Sequence, residues 1–122
     1  MRLINRFVKA SIQGAVGEDV RVYPAIGSEA AKAPYVIYRC GDGTPERSKD
    51  GIESVGMTYT VICLSERFDQ ADGMMDSVMA LDGTRSGGKE IALEGFEGPE
   101  WDGSLFRAYV ILKVDSLWPV RD

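Results

Sequence analysis

The sequence contains no histidine. Its absence removes the commonest general base and the commonest transition-metal ligand, so neither a Ser-His nor a Cys-His nucleophilic centre can be built from this chain. Cysteine is nearly absent too. Cys40 and Cys63 are the only two, too few for a disulfide framework, and the default is synthesis in a reducing cytosol. No apolar run approaches the roughly 20 residues that span a bilayer, which argues against a membrane partner. The N-terminal stretch scatters Arg2, Arg6 and Lys9 along its length, and so lacks the charged start and apolar block of a signal peptide. Basic charge is also short: 14 Lys and Arg against 19 Asp and Glu leave a net charge of −5. A chain with no basic excess has no face with which to neutralise a phosphate backbone, and specific nucleic-acid binding is not expected.

What remains is an ordinary acidic domain. The 122 residues, 44% of them hydrophobic, can bury one core but not two, so a single domain over 1–122 is expected. Leu, Ile, Val and Phe make up about a quarter of the chain, above the range of disordered sequences.

Two segments have a helical period. In 2–16, Leu3, Ile4, Phe7, Val8, Ile12 and Ala15 recur at three- and four-residue steps, with Gly14 and Gly17 closing the run. In 69–81, Ala71, Met74, Met75, Val78 and Leu81 form a stripe, Ser65 or Asp69 offers a cap, and Gly83 stands at the exit. Met74, Met75 and Met79 read as core packing more readily than as a binding surface. Strands are expected at 20–23, at 35–40 after Pro34, at 57–64 and at 91–93. The clearest lies at 105–114, where Phe106, Ala108, Val110, Leu112 and Val114 alternate with Leu105, Arg107, Tyr109, Ile111 and Lys113. Segments 25–33, 41–56, 84–90 and 95–103 read as loops. Segment 41–56 reads as a long exposed hairpin connection, because it holds Pro45, several glycines and six charged side chains. The order implies an α+β fold: a mainly antiparallel sheet of four to five strands covered by two helices.

Few constellations suggest chemistry. Gly83, then four residues, then Gly88-Lys89 matches phosphate-loop spacing, but Glu90 stands where a magnesium-binding hydroxyl belongs. The segment also follows a helix rather than a strand. No nucleotide or other cofactor is expected. Glu94, Glu97, Glu100 and Asp102 lie near Phe96 and Trp101, a composition that could serve glycoside chemistry but whose spacing is unspecific. No Ca²⁺-loop spacing is present. An interaction loop is the better reading, and the chain is not expected to be an enzyme.

Several words of the sequence together resemble a known family. These are Val20-Arg21-Val22-Tyr23-Pro24; Ala33-Pro34-Tyr35-Val36-Ile37-Tyr38-Arg39; Thr58-Tyr59-Thr60-Val61; Phe68-Asp69-Gln70-Ala71-Asp72 opening a helix that ends in Ala80-Leu81-Asp82-Gly83; and Leu105-Phe106-Arg107-Ala108-Tyr109-Val110. The chain is similar in these to the tail-completion, or tail-terminator, proteins of tailed bacteriophages and prophages. The Cys40-Gly41-Asp42-Gly43 turn and the acidic 97–102 stretch have no counterpart in that pattern.

The resemblance implies a helix-covered antiparallel sheet that assembles into a ring, usually of six, on the end of a finished tail tube. Such a ring stops tube growth and presents a surface for head joining. Its partners would be copies of itself, the tail-tube protein and the head-tail connector proteins. It would be made in the host bacterial cytoplasm and end in the virion, at the head-tail junction. Six copies at −5 each would carry about −30, which discourages DNA passing through the lumen from sticking. A ring also needs two different, complementary patches per subunit. Candidate contacts are Arg47, Lys49, Asp50 and Glu53 in the hairpin connection, and Phe96, Glu97, Glu100, Trp101 and Asp102 in the acidic loop. The 41–56 connection is expected to be mobile until a neighbour orders it, and the interface to be weak and salt-sensitive. Two alternatives stay open: a small acidic prophage-encoded binding or inhibitor module, and another neck or tube virion protein with a related sheet.

Overall fold

The structure is a computed structural model and describes residues 1–25 and 32–122. Its elements run α1 (Arg2–Val16), β1 (Arg21–Pro24), β2 (Tyr35–Ser48), β3 (Gly51–Ser65), α2 (Phe68–Met79), β4 (Arg85–Ser86), β5 (Lys89–Trp101) and β6 (Phe106–Leu117). The strands form one mixed sheet in the order β1-β2-β3-β6-β5-β4. Every pairing is antiparallel except β1 with β2, which is parallel. The α+β architecture with two helices is thus as expected, with six strands in place of four to five. The loop expected at 25–33 falls largely on 26–31, outside the described residues.

Both helices cover the same face of the sheet. Ile4, Val8 and Ile12, spaced at i, i+4 and i+8, put one fully buried stripe of α1 against it. Ala71, Met74, Met75 and Val78 do the same for α2, which packs over β3, β5 and β6. Beneath them Tyr59, Val61 and Cys63 of β3 pair across the ladder with Leu112, Val110 and Ala108 of β6, all fully buried. Tyr59 sits at the centre and donates its hydroxyl to the Asn5 carboxamide oxygen of α1. Burial, followed by the proximity of Cys40, raises the Tyr59 phenol well above its ordinary pKa.

The sequence reading fails in the charged segments. Residues 41–56 are not a loop: β2 and β3 run on as a ladder out to Ser48↔Gly51, interrupted by bulges after Cys40 and after Glu46. Among the described residues nothing covers this arm on the β2 side, and all ten β2 residues from Arg39 to Ser48 are exposed. With neither face of β2 buried there, its strand needs no apolar alternation, and the pattern that marks other strands is missing. Residues 95–103 are likewise mostly strand. β5 continues from Lys89 to Trp101 past bulges at Leu93/Gly95 and Glu97/Glu100. The 84–90 loop holds β4 and the start of β5, a two-stranded hairpin closed by Gly87 and Gly88, both at positive φ. A strand rather than a helix follows, so the phosphate-loop-like spacing has no helix N-terminus to present.

Helix α2 begins at Phe68, not Asp69, and ends before Leu81. Its first turn is led in by Ser65, whose hydroxyl accepts the Arg67 N–H (3.1 Å) and donates to the Gln70 side-chain oxygen (2.6 Å). Both cysteines are free. Cys40 pairs with Tyr59 and Cys63 with Val36, so four residue steps, about 13 Å, separate them along the ladder. That separation is well beyond the ~7 Å reach of a disulfide. Burial pushes the Cys63 thiol up to about 12.

Candidate interaction surface

The candidate contact residues fall into two groups at opposite ends of the sheet. Arg47, Lys49, Asp50 and Glu53 lie at the tip of the β2–β3 arm, all exposed. The turn there is held by the Asp50 N–H on the Ser48 hydroxyl (3.2 Å), and the Trp118 N–H donates to the Glu53 carbonyl (2.9 Å). Phe96, Glu97, Glu100, Trp101 and Asp102 lie on and just beyond the far half of β5. The ladder fixes the separation. Ser54 pairs with Leu117 and Ser65 with Phe106, which in turn pairs with Trp101. Eleven steps of about 3.3 Å put the two groups about 36 Å apart along the strands. Within one chain they cannot meet.

The β5 end carries a braced aromatic cluster. Phe106 sits between Trp101 (centroids 5.0 Å apart, tilted) and Phe68 (5.7 Å, edge-to-face). Trp101 is 56% exposed and Phe96 60%, high for rings of this size. The turn that carries them is fixed by Asp102. Its Oδ1 accepts the N–H groups of Leu105 (2.7 Å) and Ser104 (2.8 Å), and its Oδ2 takes the Arg107 guanidinium. The Leu105 amide, then Arg107 and the Ser104 amide, hold the Asp102 carboxyl down at about 2. Asp102 is therefore committed to its own turn. Glu94, Glu97 and Glu100 have no cationic partner among the described residues.

Close packing also dictates one glycine here. Gly98 lies at φ +94° in the second β5 bulge, and a Cβ there would stand 2.7 Å from the Arg107 carbonyl oxygen.

At the arm end the sequence analysis named the charges and missed an apolar pocket. Met1, Pro45, Ile52, Val55, Met57 and Trp118 surround a cavity of about 370 Å³. It joins the first residue of the chain, both strands of the arm and the segment after β6, so no local sequence signal could mark it. A second omission is the burial of Lys89, which the sequence offered only as part of a phosphate-loop-like spacing. Its ammonium donates to the Arg121 carbonyl and lies 5.8 Å from the centre of the Phe7 ring, tying the C-terminal segment to α1.

The face without helices is partly apolar. Ile62 and Leu64 alternate with the core residues Val61 and Cys63 and are themselves buried on this side. Their ladder neighbours are Ile37 and Tyr109 for Ile62, and Tyr35 and Arg107 for Leu64. Tyr23 packs edge-on against Tyr35 at 6.2 Å. Among the described residues no three His, Cys, Asp or Glu side chains converge as a metal site. No helix among the described residues is long and apolar enough to cross a membrane.

No family model matches the sequence, and no curated protein matches it. The fold has solved counterparts. One is a chain in the virion of a native gene transfer agent particle, 16% identical, with a TM-score of 0.65 over 90% of this chain and 91% of that one. At that identity the likeness establishes a shared fold.

Proposed function

We propose that the chain is a structural subunit of a phage or phage-like virion, and that its copies form the ring that ends a tail tube and receives the head. The observation that carries the reading is the fold shared over nine-tenths of both chains with a protein of a gene transfer agent virion. The sequence words that resemble tail-completion proteins point the same way and lie on the framework of the sheet and α2: in β1, β2, β3, α2 and β6. The surface is consistent with an assembly protein. It offers exposed aromatic rings at one end, an apolar pocket at the other, and charges of both signs without partners among the described residues. In this reading no bond is made or broken. The chain works by stopping the addition of tube subunits and by presenting a new surface to the connector.

Deletion of the gene from the particle that encodes it tests the role. The expected products are filled heads and separate tails, with tubes of uncontrolled length. Normal joined particles from the deletion would remove the terminator role.

A further inference from the structure

The two ends of the sheet are complementary in shape, and both are apolar where they would meet. One end protrudes: Trp101, Phe96 and Phe68 are half or more exposed, and two of the three rings are braced on Phe106. The other end is hollow, with the cavity between Met1, Pro45, Ile52 and Trp118 floored by Val55 and Met57. Each end also carries charge left unpaired among the described residues: Glu97 and Glu100 at the aromatic end, and at the arm Arg47, which pairs across the ladder with the pocket residue Ile52, and Lys49, alongside the acids Asp50 and Glu53. Because about 36 Å of strand separates the ends, one chain cannot satisfy both.

We propose that the aromatic end of one copy, led by Trp101, seats in the arm-end pocket of a second copy of this chain, with Glu97 and Glu100 facing Arg47 and Lys49. The contact is heterologous, so each copy keeps one free knob and one free pocket, and successive contacts close into a ring when the rotation between copies allows. A large aromatic ring entering a preformed apolar pocket is the usual kind of energetic anchor, and the exposed charges set orientation and encounter rate more than affinity. The Asp102 network has a place in this scheme, since it fixes the turn on which Trp101 is carried. The inference rests on the ring reading above and adds to it the surfaces that touch.

The test uses two full-length chains, both with Cys40→Ser: one carries Ser48→Cys in the arm, the other Ser104→Cys beside Trp101. Each alone and the two mixed are treated with a short bismaleimide, in concentrated solution and on tail tubes from particles lacking the gene. The expected result is a cross-linked dimer in the mixture only. Trp101→Ala, or independently Pro45→Arg in the pocket wall, should weaken self-association at least tenfold with an unchanged melting profile. Association that proceeds without the 48–104 cross-link and is indifferent to both substitutions overturns the contact and leaves the ring reading standing. Absence of association both in solution and on tubes overturns the two together.

Discussion

The helix-covered face and the two ends of the sheet are built on opposite terms. On the covered face the core side chains pack into one cluster, and Ile4, Ile12, Tyr59, Leu112 and Val110 are fully excluded from water. At the ends, rings as large as Trp101 and Phe96 are mostly exposed, a pocket stands open, and charges lack partners among the described residues. The first arrangement determines whether the chain folds. The second contributes little to folding and leaves surface to be used in contact with something else. If this division holds, substitutions in the core should change stability, and substitutions of the exposed side chains at the ends should change assembly alone.

The largest effect on stability is expected from Leu112→Ala, which empties a fully buried site under α2 and should cost about 2–5 kcal/mol in chemical denaturation. A loss under 1 kcal/mol would mean that this face is not close-packed. Gly98→Ala comes next. It places a Cβ against the Arg107 carbonyl at a positive φ, and should cost about 1–3 kcal/mol while disturbing the aromatic end.

A smaller and more local effect is expected from acid. The folded-state carboxyl of Asp102 lies at about 2, below the ~3.9 of an unfolded aspartate. Its stabilising contribution is therefore complete above about pH 4 and lost as pH falls through about 2. In a Trp118→Phe background the emission of Trp101 should change with a midpoint near pH 2. A midpoint near pH 4 would mean that Asp102 does not hold the turn. The smallest effect on folding is expected from the double charge reversal Arg47→Glu with Lys49→Glu. Both residues are exposed, so stability should stay within about 0.5 kcal/mol of wild type while self-association becomes weaker. A large drop in melting temperature would erase the distinction between face and end.

The same division governs what could be read from the sequence. Where one face of an element is buried, periodicity reveals it. The stripes of α1 and α2 and the alternation from Phe106 to Val114 correspond to the buried positions. Where burial stops, the signal stops, although the hydrogen-bonded ladder continues. Residues 41–48 and 94–101 carry prolines, glycines and charges because no helix lies over them, and their strands are defined by pairing to β3 and β6 rather than by composition. Trp101 and Phe96 stood out in the sequence as aromatics among acids, and the structure exposes them. The pocket did not stand out, because Met1, Ile52 and Trp118 meet only in three dimensions. Lys89 was legible as a charge, but its burial against Phe7 and the C-terminal segment was not.

The central claim concerns where the folded chain resides, and imaging the particle tests it most directly. Cryo-electron microscopy of the assembled particle that encodes this chain should show a ring of this six-stranded, two-helix fold between the last layer of the tail tube and the head connector. Finding the fold repeated along the tube, or finding no such subunit at the junction, would contradict the account.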